Sequence, residues 1–270
     1  MKKTAPTESK SLKTFFLYVF IVIIIVCVSL VIKGIFIIQQ SKFDSSHDFI
    51  LAITKQEKVK QVIAFHPEVP AISVLTIQDA NIPYWELAKN YGITPDGYIQ
   101  VSDDTTIGTD ITTLMWSTIL HTADWQCNIT IFDKIRLLLL SKGVTTNNKT
   151  VETISLLSQD PSVGTTVTNA LTDQSIADEN ISIQIINATE ITGFGQRLSR
   201  VLTNIGANVV DVSTAQNIQE KSTIQYYGDS SYTVDRLQKL LGIKATQIMK
   251  QPIADIVVTL GTDKKNTTEF

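Results

Sequence analysis

The chain has 270 residues and carries 23 Lys and Arg side chains against 26 Asp and Glu, for a net charge of −3. This balance argues against nucleic acid as a partner, because phosphate binding is driven by basic surfaces. Of its two cysteines, Cys27 lies inside a long apolar run and Cys127 outside it, which excludes an intrachain disulfide. For an exported protein, the lack of disulfides fits a bacterial or archaeal surface better than a eukaryotic secretory route.

The apolar run comprises residues 15–38 and predicts a transmembrane helix. Lys33 is its one charged residue, and about 20 apolar residues suffice to cross the hydrocarbon core of a bilayer as a helix. A cleaved signal peptide is the alternative, but its apolar region is typically about 7–15 residues long and ends at small residues, unlike the sequence KGIF at 33–36. We therefore expect the lipid bilayer to be a partner of this chain through residues 15–38.

The charges beside this run predict its orientation. Four lysines precede it: Lys2, Lys3, Lys10 and Lys13. Because Lys and Arg accumulate on the cytoplasmic side of a membrane, residues 1–14 are predicted to form a cytoplasmic tail. Everything after residue 38 is then extracytoplasmic, and the predicted localisation is the plasma membrane, crossed once.

Residues 48–158 are predicted to form an extracytoplasmic α/β domain near the membrane. Their apolar spacing predicts strands at 49–54, 60–65, 71–77 and 98–101, and helices at 83–90, 110–121 and 128–140. Residues 159–180 are rich in Thr, Asp, Asn and Gln and lack aromatic residues, which predicts a linker.

Residues 181–263 show a clearer pattern of alternating strands and helices. Strands are predicted at 181–187, 208–213, 222–227, 246–249 and 256–261, and helices at 193–205 and 232–241. The order β-α-β-β-α-β is typical of a split, ferredoxin-like sheet. Residues 264–270 are polar and predicted to be a disordered tail. The whole chain is therefore predicted to be an α+β protein of the α/β sandwich type behind a transmembrane helix.

An ordered set of short motifs runs through residues 181–263. A strand ends in Asn187, Thr189 follows, and the tripeptide GFG at 193–195 begins a helix. A strand at 222–227 and a final strand with a Gly-x-Asp ending at 254–263 complete the set. In this order and spacing the motifs resemble the LytR C-terminal domain, a module of cell-envelope proteins. The resemblance implies a role at the cell envelope.

Candidate ligand contacts in this block are Asn187, Thr189, Gly193, Gly195, Tyr226 and Asp263. The glycines precede a helix whose N-terminal amides suit an anion or a sugar hydroxyl, and Tyr226 offers a ring for sugar stacking. The alternative is structural: the glycines allow tight strand-to-helix packing, and one of Tyr226 and Tyr227 belongs to the core. Because the G-x-G-x-x-G pattern of a dinucleotide site is missing, no cofactor is expected.

No catalytic residue and no metal ligand is predicted. The three histidines, His47, His66 and His121, do not share a metal-ligand spacing. No Ser/His/Asp or Cys/His arrangement stands out in the sequence.

Residues 48–158 also resemble, over a short stretch around 91–101, a reduced LytR-CpsA-Psr domain. Such domains transfer glycopolymers from a polyprenyl pyrophosphate lipid to the cell wall, and a pyrophosphate needs several converging donors. This block has one arginine, Arg136. Two interpretations stay open. One is a noncatalytic envelope protein that binds or spaces peptidoglycan, a wall glycopolymer or another envelope protein, and the other is a degenerate glycopolymer transferase.

Overall fold

The computed structural model describes residues 8–78, 82–105, 107–122, 124–155, 161–250 and 252–264. These ranges contain a long N-terminal helix followed by two mixed sheets with helices between and around them, which confirms the predicted α+β class. Residues 1–7 of the predicted cytoplasmic tail and 265–270 of the predicted disordered tail lie outside the described residues.

The N-terminal helix, α1 (Glu8–Gln39), is the one described helix that is long and apolar enough to cross a membrane. Its apolar part, Phe15–Gln39, has 25 residues, and no part of it is buried against the rest of the protein. Apolar side chains around the whole circumference of a helix indicate lipid as the solvent. The helix thus suggests membrane anchoring.

The first sheet has the strand order β5-β4-β1-β2-β3-β6. Its strands are β1 (Phe49–Lys55), β2 (Lys58–His66), β3 (Ala71–Gln78), β4 (Gly97–Val101), β5 (Gln126–Cys127) and β6 (Lys149–Ser155). The first three form an antiparallel meander, β4 runs parallel to β1, and β6 runs parallel to β3. Sequence reasoning missed β5 because it is two residues long, and β6 because its side chains are mostly exposed and show no apolar alternation.

Helices α3 (Ile111–Leu120) and α4 (Ile131–Gly143) cover one face of the first sheet. Asp110 accepts a hydrogen bond from the Thr112 amide at the start of α3, and Thr130 with Asp133 forms a capping box at the start of α4. Beneath them lies a core cluster that includes Leu51, Ile63, Phe65, Met115 and Leu137. A short helix, α2 (Leu87–Tyr91), precedes β4.

Two helices lie in the segment predicted to be a linker, and its role between two domains stays a prediction. They are α5 (Pro161–Leu171) and α6 (Gln174–Glu179). Val167, Ala170 and Leu171 are buried, as is Ile176. The first three follow the i, i+3, i+4 spacing of one helix face, which the surrounding Thr and Asn obscured. Pro161 at the first helical position and the N-cap Asp173 start the two helices.

The second sheet has the strand order β10-β9-β11-β7-β8. Its elements in chain order are β7 (Ser182–Asn187), α7 (Phe194–Asn204), β8 (Asn208–Thr214), β9 (Thr223–Tyr227), α8 (Tyr232–Leu241), β10 (Ala245–Ile248) and β11 (Ile256–Leu260). The predicted elements are present, but β7 and β8 are adjacent and parallel, as are β9 and β10. In a split, ferredoxin-like sheet, another strand lies between the two parallel strands of each βαβ unit. Here the two parallel strands of each unit are direct neighbours, and β11 lies between β7 and β9. The predicted strand arrangement is therefore corrected.

A second core cluster is shared by the two sheets. It contains residues of the first sheet, of the helices α5, α7 and α8, and of the second sheet, among them Val62, Leu75, Val167, Leu198, Leu237 and Val258. The predicted domain limits, 48–158 and 181–263, stay predictions, since apolar packing is continuous across them. Burial of a common core is the main force that holds the sheets together.

Polar contacts reinforce this junction. Asn204, near the end of α7, donates hydrogen bonds to the carbonyl oxygens of Tyr91 (3.0 Å) and Gly92 (2.9 Å). Gly92 has φ +67, and a Cβ there would come within 2.8 Å of Asn204. A glycine is therefore required by both backbone conformation and close approach.

A buried ion pair joins the same two parts. Both terminal nitrogens of Arg236 on α8 donate to Asp96, which lies just before β4, at 2.6 and 3.0 Å. Asp96 also accepts a hydrogen bond from the Ile50 amide of β1 at 3.0 Å. Two separate elements, α8 and β1, thus converge on the carboxylate of a residue that precedes β4.

We predict that Asp96→Ala lowers the free energy of unfolding by about 3–5 kcal/mol, because it leaves the Arg236 cation buried without its partner. Urea denaturation of the detergent-solubilised protein, followed by circular dichroism, measures the change. Arg200→Ala is the matched control, since Arg200 is exposed and donates to the Asn90 carbonyl across the same junction. Its expected cost is about 1 kcal/mol or less, and equal costs for the two variants would contradict the account.

Candidate functional site

The segment that follows the membrane helix is fixed to the first sheet by one carboxylate. Asp133 in the first turn of α4 accepts hydrogen bonds from the Ser41 hydroxyl (2.6 Å), the Lys42 amide (3.0 Å) and the Phe43 amide (2.9 Å). Arg136, one turn later, donates to the Phe43 carbonyl at 2.6 Å. Asp133 is fully buried, and although burial raises its pKa, these hydrogen bonds outweigh that effect and hold the pKa below the usual range. We call residues 41–43 with Asp133 and Arg136 the juxtamembrane clamp.

A groove of about 370 Å³ opens beside the clamp, at the junction of the two sheets. Its polar part consists of four charged residues and a threonine: Lys42, Asp96, Arg236, Lys239 and Thr94. The apolar walls come from α2 and its flanks and from α8: Tyr84, Trp85, Ala88, Ile93, Pro95 and Leu240. We call this cavity the junction groove. It combines cationic groups with flat aromatic surfaces, which suits a ligand that carries both an anionic and an apolar or sugar-like part.

The charges around the junction groove are unbalanced. Asp96 and Arg236 neutralise each other, whereas Lys42 and Lys239 add two positive charges to the lining. The Lys42 ammonium donates to the Asp96 carbonyl oxygen at 3.1 Å, and that of Lys239 donates to the Lys42 carbonyl oxygen at 3.3 Å. Burial lowers the pKa of Lys42, the charge of Lys239 lowers it further, and Asp96 opposes both. An anion bound between the two ammonium groups would relieve their repulsion.

The ion pair at the base of the groove is permanently charged. Burial raises the pKa of Asp96, but the charge and hydrogen bonds of Arg236 outweigh it and hold that pKa below its usual range. The same carboxylate raises the pKa of Arg236 against the opposing effect of burial. Asp96 and Arg236 therefore serve as a fixed floor and do not offer a proton to a ligand.

Aromatic rings line the α2 side of the groove. Tyr84 stacks on Tyr98 of β4 with ring centroids 4.7 Å apart, and Trp85 meets Tyr84 edge to face at 5.4 Å. Stacking of this kind fixes the orientation of large side chains. The exposed part of Trp85 is thus held in place as a wall of the groove.

A second cavity of about 230 Å³ shares Lys42, Arg236 and Lys239 with the first. Its lining continues with three acids and two rings: Asp44, Asp48, Asp235, His47 and Tyr232. Tyr232 stacks on His47 at 4.2 Å and donates to the Asp173 carboxylate at 2.7 Å. Burial, aided by Asp173, raises the pKa of Tyr232, so its hydroxyl stays protonated.

Beside this cavity, a half-buried histidine pairs with an acid. The His66 ring contacts the Asp48 carboxylate at 2.5 Å. Burial lowers the pKa of His66, but the hydrogen bond and charge of Asp48, helped by the Ala170 carbonyl and Asp173, outweigh it and raise the pKa. His66 therefore stays charged to a higher pH than a free histidine.

Three of the predicted ligand residues meet at one edge of the second sheet. Asn187 ends β7, its side-chain oxygen accepts from the amide and hydroxyl of Thr189 at 3.1 and 2.7 Å, and its nitrogen donates to the Ile191 carbonyl. Asp263, beyond β11, accepts from the amide and hydroxyl of Ser222 at 3.0 and 2.6 Å. These side chains organise the loops at the edge, and a ligand role for them stays a prediction.

Of the other three predicted residues, Gly193 and Gly195 lie near that edge and Tyr226 lies near the opposite one. Gly193, at φ +77, is the N-cap of α7, and no atom lies within 4 Å of the position of a Cβ. A Cβ on Gly195 would come within 3.0 Å of Val212, so this glycine allows α7 to pack closely on β8. Tyr226 pairs with Ile256 at the start of β11, away from Asn187, and packs partly buried against the core, whereas Tyr227 is exposed. The six residues therefore do not form one pocket.

Sequence reasoning missed the residues of the junction groove. Neither Asp96 nor Lys42 lies in a motif that the sequence analysis identified. Arg236 carried a usable signal, because it lies on the apolar face of α8 between Val234 and Leu237 and is buried with them. A buried arginine requires an acidic partner, although the sequence alone does not say which one. Among the described residues, no group of three or more His, Cys, Asp and Glu side chains could hold a metal ion.

Comparison with known proteins identifies one part of the chain. Residues 180–263 match the family model described as LytR cell envelope-related transcriptional attenuator. This match confirms the resemblance seen in the motifs at 185–195 and 254–263, and it covers about a third of the chain. A search of curated proteins and a search of solved structures each found no match. The matched domain suggests a cell-envelope-associated protein.

We predict that the melting temperature falls as pH rises from about 6.5 upward through the raised folded-state pKa of His66. A group whose pKa is higher in the folded state stabilises the fold below its unfolded value of about 6.5, and the contribution is lost above the folded value. Thermal melts of the detergent-solubilised protein between pH 6 and 9 measure this slope. Asp48→Asn and His66→Gln should each flatten it, and an unchanged slope in both variants would contradict the assignment to this pair.

Proposed function

We propose that the protein is a single-pass membrane protein of a bacterial cell envelope, with residues 1–14 in the cytoplasm and the two sheets outside. Four lysines before the membrane helix support this orientation, since basic residues are retained on the cytoplasmic side. The match of residues 180–263 to an envelope-related family supports the location.

The extracytoplasmic part is proposed to be noncatalytic and to bind an anionic wall glycopolymer in the junction groove. The observation that carries this proposal is the pair of lysines, Lys42 and Lys239, above the neutralised floor of Asp96 and Arg236. Tyr84 and Trp85 supply a surface on which sugar rings can pack. Peptidoglycan and another envelope protein are the remaining candidate partners, but neither of them accounts for two lysines in the lining of the groove.

The juxtamembrane clamp is consistent with binding close to the membrane surface. Lys42 belongs to both the clamp and the groove, three residues beyond the end of α1. Because three residues span at most about 10 Å even when fully extended, the groove begins no farther than that from the end of the membrane helix. A bound polymer would thus be held beside the bilayer.

A degenerate glycopolymer transferase is the second candidate. It is favoured by the same lysines, which converge with Arg236 although they come from separate segments. This convergence was not expected from residues 48–158 alone, which contain a single arginine. Such donors could bind a pyrophosphate, but binding a pyrophosphate is not by itself evidence for a transfer reaction.

The full-length protein in lipid nanodiscs should bind purified cell walls, and extraction of the phosphate-linked polymers from those walls should abolish binding. The double variant K42Q/K239Q should bind about a hundredfold more weakly, because two charged hydrogen bonds are lost and each contributes about 1.5–3 kcal/mol. Cosedimentation with the walls measures both effects.

Lys221→Gln is the matched control, because Lys221 is exposed and lies near Asp263, at the edge of the second sheet. Its binding should equal that of the wild type. If K221Q weakens binding and K42Q/K239Q does not, the ligand lies at the sheet edge and the proposal for the groove is wrong. Release of phosphate from a prenyl pyrophosphate, lost in K42Q/K239Q, would establish the transferase instead.

A further inference from the structure

Helices α3 and α4 present an exposed apolar face. On α3, Trp116 and Leu120 lie four residues apart and are 51% and 64% exposed. On α4, Ile135 and Leu139 are also four residues apart and are 39% and 63% exposed. Side chains four residues apart lie on one face of a helix, and α3 packs directly against α4. We call these four residues the α3–α4 face.

Large apolar side chains grouped in this way are unusual on a surface that meets only water. Single exposed apolar residues are common, whereas several large ones on two helices that pack together, a tryptophan among them, indicate a surface with a partner. The other faces of the same helices are fully used, because Leu114, Met115, Leu137 and Leu138 fill the core beneath them. The exposed residues are therefore additional to what folding requires.

The juxtamembrane clamp places this face beside the membrane helix. Asp133 and Arg136 of α4 hold residues 41–43, only two residues after α1 ends at Gln39. Hydrogen bonds from the amides of Gln40 and Ser41 to Phe36 and Ile38 continue the last turn, so no free linker separates α1 from α4. The α3–α4 face is thus held close to the bilayer that contains α1.

The residues around the face have the chemistry of a membrane interface. Tryptophan concentrates at the boundary between lipid and water, and lysine stems reach from apolar surface to headgroups. The Lys142 ammonium lies 5.8 Å from the centroid of the Trp116 ring. A helix with apolar side chains on one side and basic residues at their border is typical of a helix that lies in the interface.

We propose that the α3–α4 face rests on the leaflet of the bilayer next to the end of α1, with its apolar side chains inserted at the headgroup boundary. This proposal rests on membrane anchoring by α1. This contact would fix the orientation of the extracytoplasmic part relative to the bilayer. Two attachments, the spanning helix and the helix pair, define an orientation, whereas a single flexible tether does not. The junction groove then has a constant height above the lipid.

Two single-cysteine variants of the full-length protein test this contact, Leu139→Cys and Val210→Cys, each with Cys27 and Cys127 replaced by serine. Val210 is the matched control because it is 51% exposed on β8, the edge strand of the second sheet. Each variant is labelled with an environment-sensitive dye and reconstituted in vesicles of phosphatidylcholine and phosphatidylglycerol. Quenching by nitroxide-labelled lipid and by aqueous iodide is then compared.

The dye at position 139 should be quenched several-fold more by the lipid nitroxide than the dye at 210, and less by iodide. Equal iodide quenching at both positions would overturn the proposal. Protection of position 139 from both quenchers would overturn it as well, since a second copy or another protein would then cover the face. Failure of the protein to float with the vesicles would refute anchoring itself, and the contact with it.

A second measurement needs no label on the face. Brominated lipids should quench the tryptophan fluorescence of the otherwise native protein, and Trp116→Phe should remove most of that quenching. Trp116 is exposed, so its replacement by Phe leaves the core intact. Quenching that persists unchanged in W116F would contradict insertion of this face.

Discussion

The orientation of the two sheets relative to each other is specified by one buried ion pair, between Asp96 before β4 and Arg236 on α8. Two buried charges lose their hydration, and only close geometry and further hydrogen bonds offset that loss. Asp96 meets this condition with two bonds to Arg236 and one to the Ile50 amide. Separating the two sheets would expose or strand these charges, so the pair favours one fixed docking of the matched segment, residues 180–263, on the first sheet. The same pair forms the floor of the junction groove.

The juxtamembrane clamp extends this rigidity to the membrane helix. Asp133 is at once part of the capping box of α4 and the acceptor for residues 41–43, so the start of α4 and the end of the anchor are specified by the same carboxylate. Lys42 then contributes its backbone to the clamp and its side chain to the groove. The few residues after α1 therefore contact both the first sheet's helix α4 and the matched segment. This places the proposed binding surface next to the bilayer.

Periodicity predicted most of the elements but not the contacts between them. The strands at 49–54 and 60–65 and the helix at 232–241 were confirmed because alternation and helical spacing are local properties of a chain. The two helices within the predicted linker at 159–180 were missed, because only four buried apolar residues, such as Val167 and Ile176, stand among many polar ones. The junction groove could not be predicted, since Lys42, Asp96 and Arg236 come from distant segments that only the tertiary structure brings together.

Fixed docking of the two sheets is the central claim, and a distance measurement across the junction tests it most directly. Spin labels at Val69, in the turn between β2 and β3, and at Ile218, between β8 and β9, are both at exposed positions. Electron–electron double resonance on the full-length protein in nanodiscs, with Cys27 and Cys127 replaced by serine, should give a single narrow distance distribution. A broad or multiple distribution in the otherwise native protein would show that the sheets move independently, and would contradict the account.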